Sequence, residues 1–358
     1  MINSTNFYIF VNRKYIVLEC IMNRLRILRT MQGLTLDEVA TKLDGMVTKQ
    51  AISKYERGLM SPSPAVLSAL SKIYRVDLRE SVPSSVYVTA SWNFRRGQNM
   101  PAKIESVVKN NIIYCLEKYL GVEKRLGLSS IFRSPFPKDY PVTMESMEEA
   151  ALFIRKKWKL GIDSIPYICR MLERAGIKVI EFDMEEGLDG VSGWANQKIP
   201  FIALRKDVKV DRKRFTALHE LAHILFTELE DCTEKMKERL CNRFAAALLF
   251  PKEAFFCHIG KKRSAFALEE LTELKTIYGI SVAAIVHRAK DLGVITEAYY
   301  NHLFDDVINQ NKMEDGWGAY PFDDKPGRCD EICRRGIAEG LCDADFLKLN
   351  MNVELKIL

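Results

Sequence analysis

The sequence predicts a mainly α-helical protein with a small antiparallel sheet, an α+β chain whose N-terminal domain is all-α. Three observations support this. Capped helical segments fill residues 22–80, short β-type runs cluster between residues 177 and 204, and apolar residues recur at helical spacing elsewhere. With 358 residues, 47% of them hydrophobic, the chain is long enough for two or three domains.

The composition also limits where the protein acts. No stretch approaches the ~20 consecutive apolar residues of a membrane span, and no small-residue cleavage site follows the first 21 residues. The nine cysteines are scattered along the chain, as expected in a reducing compartment. We therefore expect a cytoplasmic protein with no membrane partner. The sequence leaves open whether the N-terminal extension, residues 1–21, is ordered.

The first domain, residues 22–80, is predicted to consist of short helices separated by tight turns. Thr35 and Glu38 match a capping box, and Thr48 is placed to cap a helix over Lys49–Arg57. Two short helices across a brief turn are typical of helix-turn-helix DNA readers, whose second helix enters the major groove N-terminus first.

The charge of this domain indicates an anionic partner. Residues 1–80 carry 12 Lys and Arg against 7 Asp and Glu, whereas the whole chain has a net charge of +6. Residues 35–40 (Thr-Leu-Asp-Glu-Val-Ala) and 52–58 (Ile-Ser-Lys-Tyr-Glu-Arg-Gly) resemble the XRE family of phage-repressor-like DNA-binding domains. The resemblance implies that four residues pack inside the domain: Val39, Ala40, Ile52 and Tyr55.

By position in that motif, the second helix would contact a double-stranded DNA operator. Gln50 suits adenine, Lys49 or Lys54 suits guanine, and hydroxyl groups suit phosphate. The expected DNA-binding residues are Thr48, Lys49, Gln50, Ser53 and Lys54. The alternative is a small helical bundle whose basic residues are only solvated.

Residues 81–142 are predicted to be a linker that contains a strand near Val86–Trp92 and one long helix. Pro101 opens this helix, roughly Ala102–Leu120, and an apolar stripe follows its length. The stripe would pack either against the next domain or against a second subunit. A homodimer is therefore one of two expectations, and it would suit the two-fold operators of repressor-like readers.

Residues 143–300 are predicted to form the second domain. Strands are expected at Ile177–Phe182, Val191–Ala195 and Phe201–Leu204, the last two joined as a hairpin. A helix with Asp211 as its N-cap follows this antiparallel sheet.

That helix contains the run His219-Glu220-Leu221-Ala222-His223. Residues four apart lie on the same helix face, so the two imidazoles can take adjacent corners of a tetrahedral Zn2+ site. Glu220 lies beside them, where it can hold and deprotonate a zinc-bound water. A buried helix with two incidental histidines is the alternative. The motif favours zinc as cofactor and a zinc metalloendopeptidase as the activity, with the substrate peptide along the sheet edge at Val191–Ala195.

A third protein ligand is expected from the next helix, which Asp231 and Glu234 would open as a capping box. Glu238 and Asn242 are four residues apart in this helix and therefore share a face. Glu238 could complete a His2Glu site, and Asn242 could hydrogen-bond a ligand histidine. Glu234, one turn earlier, is the competing ligand. Oxyanion stabilisation has several candidates, and spacing selects none: His258, His287, Tyr278 and several arginines.

Two further motifs carry a family resemblance. Arg214-Phe215-Thr216-x-x-His219-Glu220-Leu221-Ala222-His223 and Glu238-x-x-x-Asn242-x-Phe244-Ala245-Ala246-x-Leu248-Leu249-x-Pro251 resemble the ImmA/IrrE family of zinc metallopeptidases. The resemblance spans about residues 143–300 and implies a zincin-like metallopeptidase domain. It also implies an acidic third ligand before the Asn-x-Phe-Ala stretch. Because the position two before Asn242 is Leu240, Glu238 is the natural match.

We therefore expect a DNA-binding transcriptional regulator with a zinc-dependent endopeptidase domain, and a helical tail at residues 301–358. The resemblance implies cleavage of an XRE-type repressor or partner protein, which would derepress genes. The substrate could be a separate repressor, a toxin-system partner or the chain itself. The alternative is a transcription factor whose peptidase-like domain senses a ligand or metal with little or no proteolysis.

Overall fold

The computed structural model describes residues 25–74, 78, 88–93, 101–129, 131–184 and 187–341. The chain divides into two compact units. The first contains residues 1–89, 99–129 and 328–358, and the second contains residues 90–98 and 130–327. The predicted extension at residues 1–21 and the part of the predicted tail after residue 341 lie outside the described residues. No helix in the described part of the chain is long and apolar enough to cross a membrane.

The described elements of the first unit are helices. They are α1 (residues 25–31), α2 (Leu36–Lys42), α3 (Lys49–Glu56), α4 (Pro64–Tyr74), α5 (Ala102–Arg125) and, from the C-terminal part of the chain, α14 (Arg328–Ala338). The prediction of an all-α N-terminal region is confirmed.

The caps and the core of this region also form as predicted. Thr35 and Glu38 make the capping box of α2, and the Thr48 side chain accepts a hydrogen bond from the backbone N–H of Ala51. A bidentate ion pair of 2.6 and 2.9 Å between Arg29 and Glu56 ties α1 to α3. The residues expected to pack inside do so, with Ala40 only partly buried: Val39, Ala40, Ile52 and Tyr55.

The long helix α5 packs within this same unit. Tyr114 is part of the hydrophobic cluster of α1–α4, and the Asn110 amide donates a 2.7 Å hydrogen bond to Thr30 Oγ1. Helix α14 packs against α5. The apolar stripe of α5 is therefore buried inside the chain at Val108, Ile112 and Leu116. The homodimer stays a prediction.

The second unit contains a four-stranded sheet and a larger set of helices. Its strands are β1 (Ala90–Asn93), β2 (Lys178–Phe182), β3 (Gly190–Ala195) and β4 (Ile199–Arg205). Its α-helices are α6 (Met144–Lys157), α7 (Ile168–Arg174), α8 (Val210–Leu225), α9 (Glu234–Leu249), α10 (Lys252–Ile259), α11 (Leu268–Tyr278), α12 (Val282–Asp291) and α13 (Glu297–Leu303).

The sheet is mixed, which corrects the prediction that it is antiparallel throughout. Its strand order is β1-β3-β4-β2, with β3 antiparallel to β4 and β2 parallel to β4. β4 is buried at every residue from Pro200 to Leu204. Burial on both faces is typical of an interior strand, and β4 accordingly pairs with β3 along one edge and with β2 along the other. The predicted hairpin between β3 and β4 forms, and Asn196 and Gln197 adopt positive φ angles in its turn.

The edge that was predicted to bind a peptide is partly occupied by the chain itself. Ala90–Asn93 pairs antiparallel with Ser192–Ala195, which leaves Gly190 and Val191 as the β3 residues without a β1 partner among the described residues. The predicted strand near Val86–Trp92 thus begins later, and residues 86–87 lie outside the described part. The prediction that a peptide binds along the whole of Val191–Ala195 is therefore wrong, because β1 already pairs with Ser192–Ala195.

Helices α8 and α9 are fixed by a shared core and by buried arginines. Arg155 donates to the carbonyls of Leu248 and Leu249 at 2.9 and 3.1 Å, and Arg288 donates to that of Phe250 at 2.5 Å. These guanidinium groups satisfy the carbonyls that the end of α9 leaves unpaired. The position of α9 is thereby fixed at its C-terminal end.

Both predicted N-caps of these helices are displaced. Lys209 takes the N-cap position of α8, and Asp211 lies in the first turn of the helix. The Asp211 carboxylate is 3.5 Å from Lys275 Nζ. Asp231 belongs to a 3-10 turn, Thr227–Asp231, and Thr233 caps α9 instead by accepting from Met236 N.

Candidate metal centre and DNA-reading helix

The two histidines of α8 face each other. His219 Nε2 and His223 Nε2 are 3.2 Å apart, and their side chains are only 3% and 5% exposed. The spacing of four residues along one helix brings both rings to the same side. Burial of neighbouring residues holds this helix in place: Ala217, Leu218, Leu221, Ala222, Ile224 and Leu225.

Glu238 of α9 brings a carboxylate to the paired imidazoles. Its Oε2 is 3.6 Å from His219 Nε2 and its Oε1 is 3.9 Å from His223 Nε2. Glu234, the competing candidate, is the first residue of α9. Among the described residues, no ion pair joins Glu234 to either imidazole.

Asn242 sets the tautomer of His219. Its Oδ1 lies 2.8 Å from His219 Nδ1. An amide oxygen only accepts hydrogen bonds, so Nδ1 carries the proton and donates it. In the neutral ring, Nε2 then has its lone pair directed toward His223 and Glu238.

Cys241 is a neighbour of this cluster that the sequence reasoning missed. Its Sγ is 3.7 Å from His223 Nδ1. Ligand atoms of His219, His223 and Cys241 all lie within 4.8 Å of one another, and this is the one such group of three that the described residues form. The thiol faces Nδ1, however, whereas Nε2 of the same ring faces His219. Because the two nitrogens of one imidazole point in different directions, Cys241 is better placed to orient His223 than to share its metal.

The donor set fits a zinc ion. Tetrahedral zinc with bonds of ~2.0–2.1 Å separates its ligand atoms by about 3.3 Å. The two Nε2 atoms are 3.2 Å apart, and Glu238 faces each imidazole with a different oxygen, Oε2 at 3.6 Å from His219 and Oε1 at 3.9 Å from His223. Two imidazoles and one carboxylate are also a ligand set that catalytic zinc sites use.

Glu220 lies beside the histidines where α8 passes the sheet. It is 5% exposed, and β3 approaches it closely because residue 190 is a glycine. A Cβ at Gly190 would lie 2.5 Å from Thr216 Cγ2 and 3.2 Å from Glu220 Cγ. The open start of β3, Gly190 and Val191, is therefore next to this carboxylate.

A cleft of about 1080 Å3 opens onto this region, and both His219 and Glu220 line it. His287 and Tyr300 also line the cleft, and the Tyr300 hydroxyl is 2.8 Å from His287 Nδ1. Burial lowers the pKa of His287, which favours its neutral form. The other ring candidates for oxyanion stabilisation, His258 and Tyr278, contact each other and Phe250 and are not part of the cleft lining.

The residues expected to contact DNA lie around α3. Thr48, Lys49, Gln50 and Lys54 are exposed, and Ser53 is half-buried. Lys49 Nζ is 3.0 Å from Asp37 Oδ1 in an ion pair whose two side chains are both largely exposed. Such a pair stabilises little in water, so Lys49 can exchange Asp37 for a phosphate or a base.

Comparison with known families gives two matches in the order that the motifs predict. Residues 25–81 match the family model described as helix-turn-helix, and residues 172–290 match that of the IrrE N-terminal-like domain of the M78 peptidases. No curated protein matches the chain at a significant level.

Proposed function

We propose that this chain, which joins a helix-turn-helix domain to an IrrE N-terminal-like peptidase domain, is a DNA-binding regulator that hydrolyses peptide bonds with a bound zinc ion. The observation that carries the proposal is the convergence of His219, His223 and Glu238 on one another, at a cleft that His219 and Glu220 line. Neither a structural metal site nor a buried histidine pair requires a further carboxylate beside it in the lining of a cleft.

His219, His223 and Glu238 would hold the ion. When bound, zinc would polarise the scissile carbonyl and make a water acidic enough to lose a proton near neutral pH. Asn242 keeps His219 in the tautomer whose Nε2 can act as a ligand. Cys241 would do the same for His223 by accepting a hydrogen bond from Nδ1–H at its sulfur.

Glu220 would take the proton from the attacking water and pass it to the leaving amine. Its burial beside Gly190 keeps the carboxylate at the end of the cleft where an extended peptide can reach it. Such a peptide would hydrogen-bond the open start of β3, at Gly190 and Val191. The neutral His287 and the Tyr300 hydroxyl are the groups of the cleft best suited to stabilise the developing oxyanion.

The substrate class that the family resemblance supports is an XRE-type repressor, whose cleavage would derepress genes. The test is incubation of the zinc-loaded protein with small repressors encoded by neighbouring genes, followed by mass spectrometry of the products. Cleavage that chelation abolishes and zinc restores would support the proposal. Intact repressors under all conditions, together with zinc-dependent DNA binding, would favour the alternative of a metal or ligand sensor.

The ligand assignment predicts that Glu238→Gln weakens zinc binding more than the ~10–100-fold typical of losing a group that only orients a ligand. Glu234→Gln, on the same helix, should leave zinc affinity unchanged. Cobalt substitution separates the role of Cys241, because a thiolate ligand produces a near-ultraviolet charge-transfer band. We expect no such band. A band that disappears in Cys241→Ser would instead make the thiol the third ligand.

The DNA-reading proposal predicts that the double variant Lys49→Ala and Gln50→Ala loses specific operator binding. Both side chains are exposed on α3, so the fold and zinc content should be unchanged. Gel-shift titration against an operator and a scrambled duplex measures the specificity ratio. Lys42→Ala with Lys72→Ala, outside α3, is the matched control. Retained specificity in the α3 variant would place the base contacts elsewhere.

A further inference from the structure

We infer that the cleft selects peptide segments with acidic side chains. This inference rests on the proposed peptidase function and specifies its substrate class. It begins from one stripe of α9, here called the α9 wall, which lines the cleft along its length with Lys235, Arg239, Asn242, Arg243 and Ala246. These positions recur at helical spacing on one face, so their side chains point into the same space.

Two residues of the α9 wall carry uncompensated positive charge. Lys235 and Arg239 are exposed, and neither makes an ion pair with a described residue. Arg243, in contrast, is neutralised by Glu148 and Asp291 at 2.7 and 2.9 Å. On the α9 wall, Arg243 is therefore already neutralised, whereas Lys235 and Arg239 at the rim of the cleft are available to a ligand.

The rest of the rim has the same sign. The exposed basic residues of the lining are Lys209, Arg212, Lys235, Arg239 and Lys312, whereas its exposed acidic residues are Asp207 and Asp291. Lys209 is neutralised by Asp315 at 2.6 Å, and Asp291 by Arg243 at 2.9 Å. On the β3 side, Asp189 is shared by Arg205 and Arg212, which leaves one positive charge in excess. Lys235 also lies in the first turn of α9, where the helix dipole adds positive potential.

The occupant that fits this rim is an extended peptide. The cleft volume of about 1080 Å3 suits several residues of a peptide chain and is too small for a DNA duplex. Apolar side chains would pack against Phe215 and Ala246 while acidic ones reach the rim cations. The α9 wall continues to Asn242, which touches the metal-ligating His219, so the rim cations act on residues near the scissile bond.

The test measures binding apart from catalysis. Zinc-loaded Glu220→Gln protein is titrated against fluorescein-labelled peptides that alternate Leu with Glu, Gln or Lys, and anisotropy gives the affinities. The Glu peptide should bind best, and rising salt should weaken its binding because exposed charges are screened. The variant Lys235→Glu with Arg239→Glu should lose about five- to tenfold or more of that affinity. The Gln peptide should bind this variant with the same affinity as it binds the protein without the two charge reversals.

The matched control is Lys156→Glu with Lys261→Glu, which changes the net charge equally at exposed positions outside the cleft lining. It should bind all three peptides like the parent protein. Equal affinities for the Glu and Gln peptides would overturn the inference even if repressor cleavage is observed. A larger loss of duplex DNA binding than of peptide binding in the α9 variant would assign these cations to DNA and also overturn it.

Discussion

Replacement of Glu220 by Gln is expected to lower the rate of repressor cleavage by about 10²–10⁴-fold, the usual contribution of a positioned general base. Gln has nearly the same shape as Glu but cannot accept the proton of the attacking water. Because the side chain is buried against Thr216 and Gly190, the amide should occupy the same space. The measurement is the initial rate of product formation at saturating zinc.

Zinc content and operator binding serve as controls, and both should match those of the parent protein. The loss should appear in kcat rather than in KM, since the proposed role of Glu220 is to stabilise the transition state and not to bind the peptide. Cleavage by Glu220→Gln at the parent rate would show that another group activates the water. Activity that survives chelation as well would point to a contaminating peptidase.

Local features of the fold could be read from the sequence. The capping box of α2, the bounds of α2 and α3, and the hairpin turn at Asn196 and Gln197 each depend on a few adjacent residues. The start of α9 shows how such reasoning fails. Asp231 with Glu234 has capping-box spacing, but a 3-10 turn takes up Asp231 and leaves the cap to Thr233. Two nearby capping residues compete, and the tertiary path decides between them.

The order of the strands could not be derived locally. Nothing within β2 states that β4 will lie beside it in parallel, because strand pairing depends on residues twenty or more positions apart. The run of non-polar residues from Ile199 to Leu204 was the available signal, since a strand with one solvated face alternates between polar and apolar residues. Within β3, only Gly193 could have indicated that β1 pairs with it. A side chain at this position would not fit, because a Cβ would lie 2.1 Å from the Ser91 carbonyl oxygen.

The candidate site divides in the same way. His219 and His223 are related by the helix repeat, and Glu238 and Asn242 by the repeat of the next helix, so each pair could be predicted separately. Which residues of the two helices meet depends on how they pack. That packing brings Glu238 to the imidazoles and Cys241 to His223. Cys241 is three residues after Glu238, so the sequence shows that the two share a face of α9. It does not show that Cys241 lies next to His223.

The largest stability effect is expected at Arg214, one and a half turns before His219 on α8. Its Nη1 is 2.7 Å from Asp324 Oδ2, and both side chains are fully buried. The same guanidinium lies 4.0 Å from the centre of the Tyr320 ring. It also donates to backbone carbonyls of the loop before α7 and of the C-terminal end of α11: Ile165, Pro166, Tyr278 and Gly279. No short-range pattern predicts a partner 110 residues away.

Arg214→Met should lower the free energy of unfolding by about 3–5 kcal/mol, because it leaves the Asp324 carboxylate buried without its counter-charge. Urea titration of metal-stripped protein measures this without a contribution from zinc affinity. The control is Arg212→Met on the same helix, whose partly exposed pair with Asp189 should contribute less than about 1 kcal/mol. Equal losses in the two variants would contradict the argument.

Removing both charges should not restore stability. Asp324 accepts hydrogen bonds from the backbone N–H groups of Ile168 and Cys169 at 2.8 and 2.9 Å, so it also serves the start of α7. Arg214→Met combined with Asp324→Leu relieves the buried charge but leaves those two donors unsatisfied in the interior. We therefore expect the double variant to stay well below the parent in unfolding free energy. Recovery to the parent value would mean that only the unpaired charge of Asp324, and not the lost hydrogen bonds to the start of α7, destabilises the single variant Arg214→Met.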